Sequence, residues 1–566
     1  MIPGVAALLV ANGAVLLAAR RLLEPLKTGK PAVDVLLFLL LRTLLISSVV
    51  LAAGFARILT PLGMGLVGGV GFGILVILKR PRPVRPPLPL PWHPWLIAAA
   101  ILVLLKLLVQ VWIFAPYAGD VVTYHLPKIA EWIRAGGFTR ELGANARVTL
   151  PAGFELLDTW WVVFLHHDVL IEMAGVELLL IASAAVYALG REVGLTPSPA
   201  LTGALLFAAT PGLQVEATAA LNDGAATAMT LATAALIVAR AGLPLILLPL
   251  ALGLGIKPTT AYAFPGLVLL AVLWRREPTL PPAPRKVALS VAVLALAVGA
   301  VWYVRNLLWY GNPIYPMGTE LGRQVQQFGP SLASLGENLT TLVNVRIRDF
   351  FPVGALHTGN ANWGAVVLAC GLPALIDWMR DDSRIRRLAL AGAVSTVCVL
   401  TLVTPDPWNM RFILFVPALP GLAAARAAAA NRFLAPLVVL AALLCLTSSI
   451  RPSELSASDL RRLAGSGWRE RSARPSRPAG MDEASVGCLG GNVSAYWLYD
   501  PDYSRGVVYF REATAAALVE RMDREGLRTL VVSPDLTDGA TLREAVESGA
   551  LVEHSDAWGR TYRRVR

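Results

Sequence analysis

Asp120 stands just past an apolar run, in Gly119-Asp120-Val121-Val122-Thr123-Tyr124-His125-Leu126-Pro127-Lys128-Ile129-Ala130-Glu131-Trp132, and Glu155 follows in Pro151-Ala152-Gly153-Phe154-Glu155. A carboxylate so placed can take a proton from a hydroxyl within hydrogen-bond reach, or can simply be solvated. A second carboxylate, Asp223, opens another apolar run in Asn222-Asp223-Gly224, where it could equally cap a helix. Three cations, Lys257, Arg305 and Arg411, stand at the ends of apolar segments. There they can grip an anion or act as interfacial anchors that snorkel to head groups. Tyr124, His125 and His357 add polar loop groups, the histidines reading as hydrogen-bonding residues rather than acids or bases. His166-His167-Asp168 has the residue types of a metal site, but adjacent histidines on a helix point apart and no further ligand is near, so no metal is expected. No cofactor is expected either. Gly490-Gly491-Asn492 reads as a plain turn, and no Gly-x-Ser-x-Gly elbow points to a nucleophilic hydrolase.

The elements that must position these residues are apolar helices. Of 566 residues, 55% are hydrophobic and 16% charged, and the mean hydropathy is +0.60. A soluble fold cannot hide that much apolar surface, since an ordinary soluble chain is about 25% charged. The formal charge of +12 sits in short loops between apolar runs, which is how membrane orientation is written, so it marks topology rather than nucleic-acid binding. A span needs about 20 apolar residues. About fourteen candidates follow, near 3–19, 35–58, 61–79, 95–115, 168–189, 199–216, 223–240, 243–256, 260–274, 287–307, 363–379, 386–404, 412–428 and 433–450. The first carries no basic stretch before it and no cleavage pattern after it, so it reads as a retained helix. Lys106 falls mid-span, where a charge is expensive, and an internal pair with Glu172 or Glu177 is expected.

Basic clusters such as Arg20-Arg21, Lys79-Arg80, Arg275-Arg276 and Arg384 with Arg386-Arg387 fall on one side at a consistent parity, which is then the cytoplasm. Loops 116–167 and 306–362, the Asn222-Asp223 turn and the turn 404–411 fall outside. After a Ser/Arg/Pro-rich linker at 451–480, strand-like Val507–Phe510 and Leu530–Ser533 alternate with helical stretches near 511–525 and 539–548. That pattern is a small α/β domain, 481–566, also outside. Three of the four cysteines (Cys370, Cys398, Cys445) lie in apolar segments and Cys488 stands alone beyond them, so no disulfide framework is expected.

The loop from Asp120 resembles the first external loop of the GT-C superfamily, the membrane glycosyltransferases that use polyprenyl-phosphate sugars. That superfamily includes protein O-mannosyltransferases and the lipid A aminoarabinose transferases, and Gly-Asp-x-x-Thr-Tyr-His-Leu-Pro looks like a bacterial variant. Asn222-Asp223-Gly224, Gly255-Ile256-Lys257-Pro258-Thr259, Arg305-Asn306 before Gly311-Asn312-Pro313-Ile314-Tyr315-Pro316, and Arg411-Phe412 agree in their order, over about 95–430. The Asp-Glu pair of the O-mannosyltransferases is here Asp120-Val121, so close kinship with that branch is not expected.

The resemblance implies an all-α polytopic domain comprising N-terminal helices, 1–94, and a catalytic portion, 95–450. It implies transfer of a sugar from a polyprenyl-phosphate donor to a hydroxyl on a glycan, lipid or protein acceptor, at the plasma membrane. Asp120 is then the general base and Asp223 a second catalytic carboxylate. Lys257, Arg305 and Arg411 hold the donor phosphate, and Tyr124, His125, Glu155 and His357 belong to the substrate loop. The alternative is a polytopic transporter or lipid-linked glycan flippase, for which repeated halves and midplane polar groups would be the signature.

Overall fold

The computed structural model describes residues 2–77, 93–140 without 115 and 117, 145–277, 280, 284–319, 332–349, 361–440 without 434, 435 and 438, and 484–565 without 492, 501, 511–513, 534, 535, 537, 538, 557 and 558. His357, the linker at 451–480 and most of the predicted span at 433–450 lie outside the described residues.

Helices dominate as far as residue 430. They are α1 (Ile2–Leu23), α2 (Pro31–Phe55), α3 (Pro61–Ile77), α4 (Pro94–Ile113), α5 (Leu126–Ala135), α6 (Gly153–Val163), α7 (Met173–Glu192), α8 (Pro197–Ala208), α9 (Pro211–Ala217), α10 (Asp223–Val238), α11 (Leu243–Ile256), α12 (Phe264–Trp274) and α13 (Arg285–Tyr310). After them come α14 (Leu332–Arg348), α15 (Leu372–Asp381), α16 (Ser383–Leu402) and α17 (Ala418–Ala430). Among the described residues six helices are long and apolar enough to cross a bilayer, and a seventh span results if Pro407–Ile413 and Ala418–Ala430, bent by 65°, count together.

The expected fourteen spans are therefore not all of spanning length. Several predicted runs are short helices: α8, α10, α11 and α12 are apolar but too brief, and the run at 199–216 breaks into α8 and α9. Proline explains part of this. Pro197, Pro211 and Pro258 stand in the first turn of new helical segments, where the missing N–H costs nothing and the residue before it is pushed out of helix.

Two helices make the centre. On α2, Leu36, Leu37, Leu40, Leu41 and Leu44 are fully buried, and the helix packs against α1, α3, α6 and α7. On α10 nearly every residue is buried, which suits a helix apolar on all sides. Its Ala and Thr side chains are small enough to admit α7, α11 and α12. Glycines set the closest approach. A Cβ on Gly153 of α6 would meet the Gly255 carbonyl of α11 at 2.7 Å, one on Gly255 would meet Gly299 Cα of α13 at 2.8 Å, and one on Gly299 would collide with the Ala251 carbonyl of α11.

The C-terminal segment is a small α/β unit. Its strands β1 (Ser485–Leu489), β2 (Gly506–Phe510), β3 (Thr529–Val532), β4 (Leu551–Asp556) and β5 (Gly559–Arg564) lie in the order β2-β1-β3-β5-β4. The first three run parallel, with Leu489 opposite Phe510 on one side and Val532 on the other, and β5 pairs antiparallel with β3 and β4. Helices α18 (Ala515–Arg524) and α19 (Ala540–Glu547) pack on it through Leu518, Met522 and Leu542. The predicted strands and helices at 507–548 are present. The β4–β5 hairpin was not foreseen, because Val552-Glu553-His554 and Arg560-Thr561-Tyr562 carry too few apolar residues for a clear alternation.

Since the Gly299 site has no room, Gly299→Ala should destabilise the protein by about 1–3 kcal/mol, the range for overpacking. Gly65→Ala on α3, where a Cβ meets nothing within 4 Å, should be neutral or slightly stabilising. Thermal unfolding of the two variants in the same detergent distinguishes them, and equal midpoints would mean that α11 and α13 do not depend on this contact.

Candidate active site

Four breaks in helical backbone converge at one end of the bundle, and each carries a charge. Asp120 immediately precedes a turn of π-helix, Val121–His125, that runs into α5. Arg147 lies on the 3-10 turn Ala146–Thr149. Lys257 separates α11 from the 3-10 turn Pro258–Ala263. Arg411 lies on the 3-10 turn Pro407–Ile413 before α17. Irregular backbone is tolerated at such depth where protein surrounds it or a polar cavity opens beside it.

The guanidinium of Arg411 bridges two carboxylates, with Nη2 3.0 Å from Asp120 Oδ2 and Nε 2.7 Å from Asp223 Oδ2. Lys257 Nζ takes the other Asp223 oxygen at 2.5 Å, and Arg147 Nη1 lies 3.5 Å from Asp120 Oδ1. The Phe412 ring stands 4.4 Å from Lys257 Nζ and 5.4 Å from the Arg411 guanidinium carbon. Asp223 does not cap α10. That role falls to Glu216 of α9, whose Oε2 accepts from the Asp223 and Gly224 N–H groups at 3.1 and 3.0 Å, satisfying two of the free N–H groups of the helix N-terminus. The Asp223 carboxylate is left to the cations.

Asp120 is about a quarter exposed, Asp223 almost wholly buried. Burial alone would raise the Asp120 carboxyl, but Arg411 above all, then Arg147, His125 and Lys257, hold it below the ordinary aspartate value.

A second cluster adjoins the first. Glu155 Oε1 receives Lys128 Nζ at 2.5 Å and His125 Nδ1 at 2.9 Å. Burial opposes the Glu155 charge, yet Lys128 and His125 pull its pKa down to about 2. One turn on, Asp158 is buried with both oxygens unbonded among the described residues. Burial, then the nearby Glu155 and Glu172, push its pKa well up.

Both clusters open on one small cavity of about 70 Å³, with Tyr124, His125, Lys128, Arg147, Lys257 and Arg411 in its wall. On the far side of Arg147 and Arg411 a second, larger and more open cleft of about 480 Å³ is lined by Gly119, Asp120, Asp406, Trp408 and Asn409. The two arginines form a wall between a cation-lined chamber and a cleft that presents a carboxylate.

No protein-family model matches this sequence, and no curated protein matches it. Among solved structures, ArnT from Cupriavidus metallidurans bound to undecaprenyl phosphate aligns with a TM-score of 0.53 at 12% identity, over 83% of this chain and 98% of ArnT. ArnT in the apo state aligns at the same score and identity, over 83% of this chain and 97% of that one. The chain has the ArnT fold.

Within this fold, Asp120, Asp223, Lys257 and Arg411 are brought together, and Tyr124, His125 and Glu155 line the adjoining chamber. Arg305 makes different contacts. It donates to the Thr149 carbonyl and to Asn306 Oδ1, the latter from Nε at 3.0 Å, and stacks 4.8 Å from the Trp302 ring. Asn306 bonds the same Thr149 carbonyl and that of Tyr315, each at 3.1 Å. Together they tie α13 to the turn that presents Arg147. His166 turns away to the Asp502 carbonyl at 2.9 Å, while His167 Nδ1 accepts the Val169 N–H at 3.1 Å and lies 3.3 Å from Asp168 Oδ1, and Asp168 Oδ2 accepts the Tyr496 hydroxyl at 2.9 Å. Mid-span Lys106 donates to Gln214 Oε1 at 3.4 Å, whereas Glu177 pairs with Arg42 at 2.7 Å.

Sequence reasoning missed Lys128, Arg147 and Glu216. Lys128 alone left a trace, standing three residues from His125 and so on the same face of the turn; the partner of both, Glu155, is 27 residues beyond Lys128.

One guanidinium bridging two carboxylates cannot be replaced by an ammonium, which lacks the fork. Arg411→Lys should lose about one charge-assisted hydrogen bond, on the order of 1.5–3 kcal/mol of stability. Arg426→Lys, whose pair with Asp381 is loose at 3.9 Å and exposed, should lose nothing measurable. Denaturant unfolding in detergent would test this, and equal stabilities would show that the bridge is not holding the site together.

Proposed function

We propose that this chain is a membrane glycosyltransferase moving a sugar from a polyprenyl-phosphate donor to an acceptor hydroxyl on the extracytoplasmic side, with Asp120 as general base. The observation that carries the reading is the placement of Asp120 on the cleft side of an arginine wall whose other side is a cation-lined chamber, in a fold shared with a protein solved with undecaprenyl phosphate.

The donor phosphate enters the chamber and meets Lys257 and Arg411, with Arg147 and Lys128 beside them. Arg305 supports the phosphate site through the turn bearing Arg147. The acceptor hydroxyl approaches from the cleft. Its oxygen attacks the anomeric carbon, Asp120 takes its proton, and the electron pair of the breaking glycosidic bond leaves on the phosphate oxygen. Cations aimed at that oxygen stabilise the transition state more than the ground state, because its negative charge grows as the bond breaks.

The ion pairs also time the base. A phosphate competing for Arg411 and Arg147 draws them from Asp120, so its carboxylate becomes more basic once donor is bound. Asp223, held by Lys257, keeps Arg411 in place during that exchange. Extracytoplasmic placement of the site and of the C-terminal domain is supported by the basic clusters gathering at the opposite ends of the spans.

Transfer from a synthetic polyprenyl-phosphate sugar, measured in detergent micelles, tests the reading. Asp120→Asn should slow turnover by about 10²–10⁴, the usual worth of a general base. Lys257→Ala and Arg411→Ala should each slow it tens to hundreds of times, while Arg240→Ala and Arg276→Ala, at the other end of the spans, stay active. Wild-type turnover by Asp120→Asn would remove Asp120 from the mechanism, and absence of transfer by the wild type would favour a transporter.

The pH profile supplies a separate check. Asp120 is depressed in the folded protein, so it stays charged above the ordinary aspartate value of 3.8 and the base is lost only as pH falls through its lowered pKa. Arg147→Ala removes a cation that depresses it. The acid limb of kcat/KM should therefore move to higher pH, and an unmoved limb would mean that the limb reports another group.

A further inference from the structure

The parallel half of the C-terminal sheet has β1 in the middle, with β2 on one side and β3 on the other. The chain leaves β1 towards one edge and returns to the opposite side, and the crevice at the carboxyl ends of such strands is where open α/β sheets usually take a ligand. Here that edge is engaged by the membrane portion. The Gly491 carbonyl, two residues past β1, accepts Asn145 Nδ2 at 2.9 Å. The next turn, Ala495–Leu498, leads into Tyr499, which is buried and donates its hydroxyl to Glu131 Oε1 at 2.5 Å while lying 3.0 Å from the Tyr509 hydroxyl of β2. Flanking contacts run the same way: Tyr496 hydroxyl to Asp168 at 2.9 Å, and Arg134 to the Ser504 carbonyl at 3.2 Å.

Both principal contacts lead to Asp120. Glu131 lies on α5, the helix into which the turn after Asp120 runs, one turn beyond Lys128. Asn145 Oδ1 accepts the Arg147 N–H at 2.9 Å and so caps the turn whose arginine faces Asp120. The carboxylate is thus braced from its own helix and from its ion-pair partner, and each brace ends in the C-terminal domain.

We infer that the C-terminal domain sets the position of Asp120, with Tyr499 and Asn145 as its positioning residues. This rests on the reading of Asp120 as the base. The domain does more than cover the site, because its two hydrogen bonds act on the two groups that fix where the carboxylate points. Near-attack geometry is steep in distance, and about 1 Å of misplacement can cost a hundredfold in rate.

The test uses the full chain in detergent with two variants that keep local packing. Tyr499→Phe removes one hydroxyl. Asn145→Ser retains an oxygen that can cap the 146–149 turn but cannot reach Gly491. Hydrogen exchange should rise in segments 118–135 and 145–150 and stay unchanged in α2 and α10. With a synthetic polyprenyl-phosphate sugar, kcat should fall about tenfold while donor KM stays within about twofold. Glu131→Gln, whose amide oxygen still accepts the Tyr499 hydroxyl, should keep more activity than Glu131→Ala. A merely structural contact would lower stability without splitting kcat from KM. Unchanged exchange in both variants overturns the inference, as does raised exchange with unchanged kcat. If the wild type transfers no sugar, the exchange measurement still decides the positioning, and the failure belongs to the transferase reading.

Discussion

Arg411 lies between two carboxylates in a region that water barely reaches, and that arrangement constrains everything near it. Removing charges from water costs several kcal/mol per ion unless partners and hydrogen bonds replace the lost solvation. Asp223, Lys257 and Arg411 are each more than four-fifths buried, so none is well placed alone. The chain meets the constraint by placing every partner at a break in a helix, where a side chain can be aimed without regard to helical periodicity. Glu216 completes the set by taking the free N–H groups of α10, which releases Asp223 from capping.

The close packing of α6, α11 and α13 follows from the same requirement. Lys257 comes directly after α11, Arg305 lies near the end of α13, and Glu155 lies in the first turn of α6. The Gly153–Gly255–Gly299 contacts bring those three backbones together, and larger residues there would move the site's walls apart. In apolar surroundings helices gain little from hydrophobic burial against one another, so small residues that admit van der Waals contact carry the association.

The two clusters also differ in their answer to burial. Around Glu155, two donors on one oxygen overcome desolvation and hold its pKa down, whereas burial pushes that of Asp158, one helical turn away and without donors among the described residues, well up. A single short helix therefore carries two acids shifted in opposite directions, and the surrounding donors, not the residue types, make the difference.

Much of this was legible in the chain. Apolar runs of spanning length have one physical use, but a charge standing where such a run breaks has several, so Asp120, Asp223, Lys257 and Arg411 were singled out by the order of their motifs rather than by position alone. The strands at 507–510 and 530–533 were legible because short β-branched and aromatic runs between turns have few other uses. Which charges meet was not legible. Arg411 and Asp223 are 188 residues apart, and Arg411 and Asp120 are 291 apart. Nor was it legible that Arg305 bonds Thr149 and Asn306. Lys128 drew no reading from the sequence, yet it is buried against Glu155. The sequence by itself determined that the chain is built of apolar helices and which residue types stand near their ends, because local hydrophobicity acts over a few residues. The tertiary structure alone decided the pairings, the arginine wall and the contact between Tyr499 and Glu131, because electrostatic partners are chosen by distance in space, and distance along the chain carries no information about it.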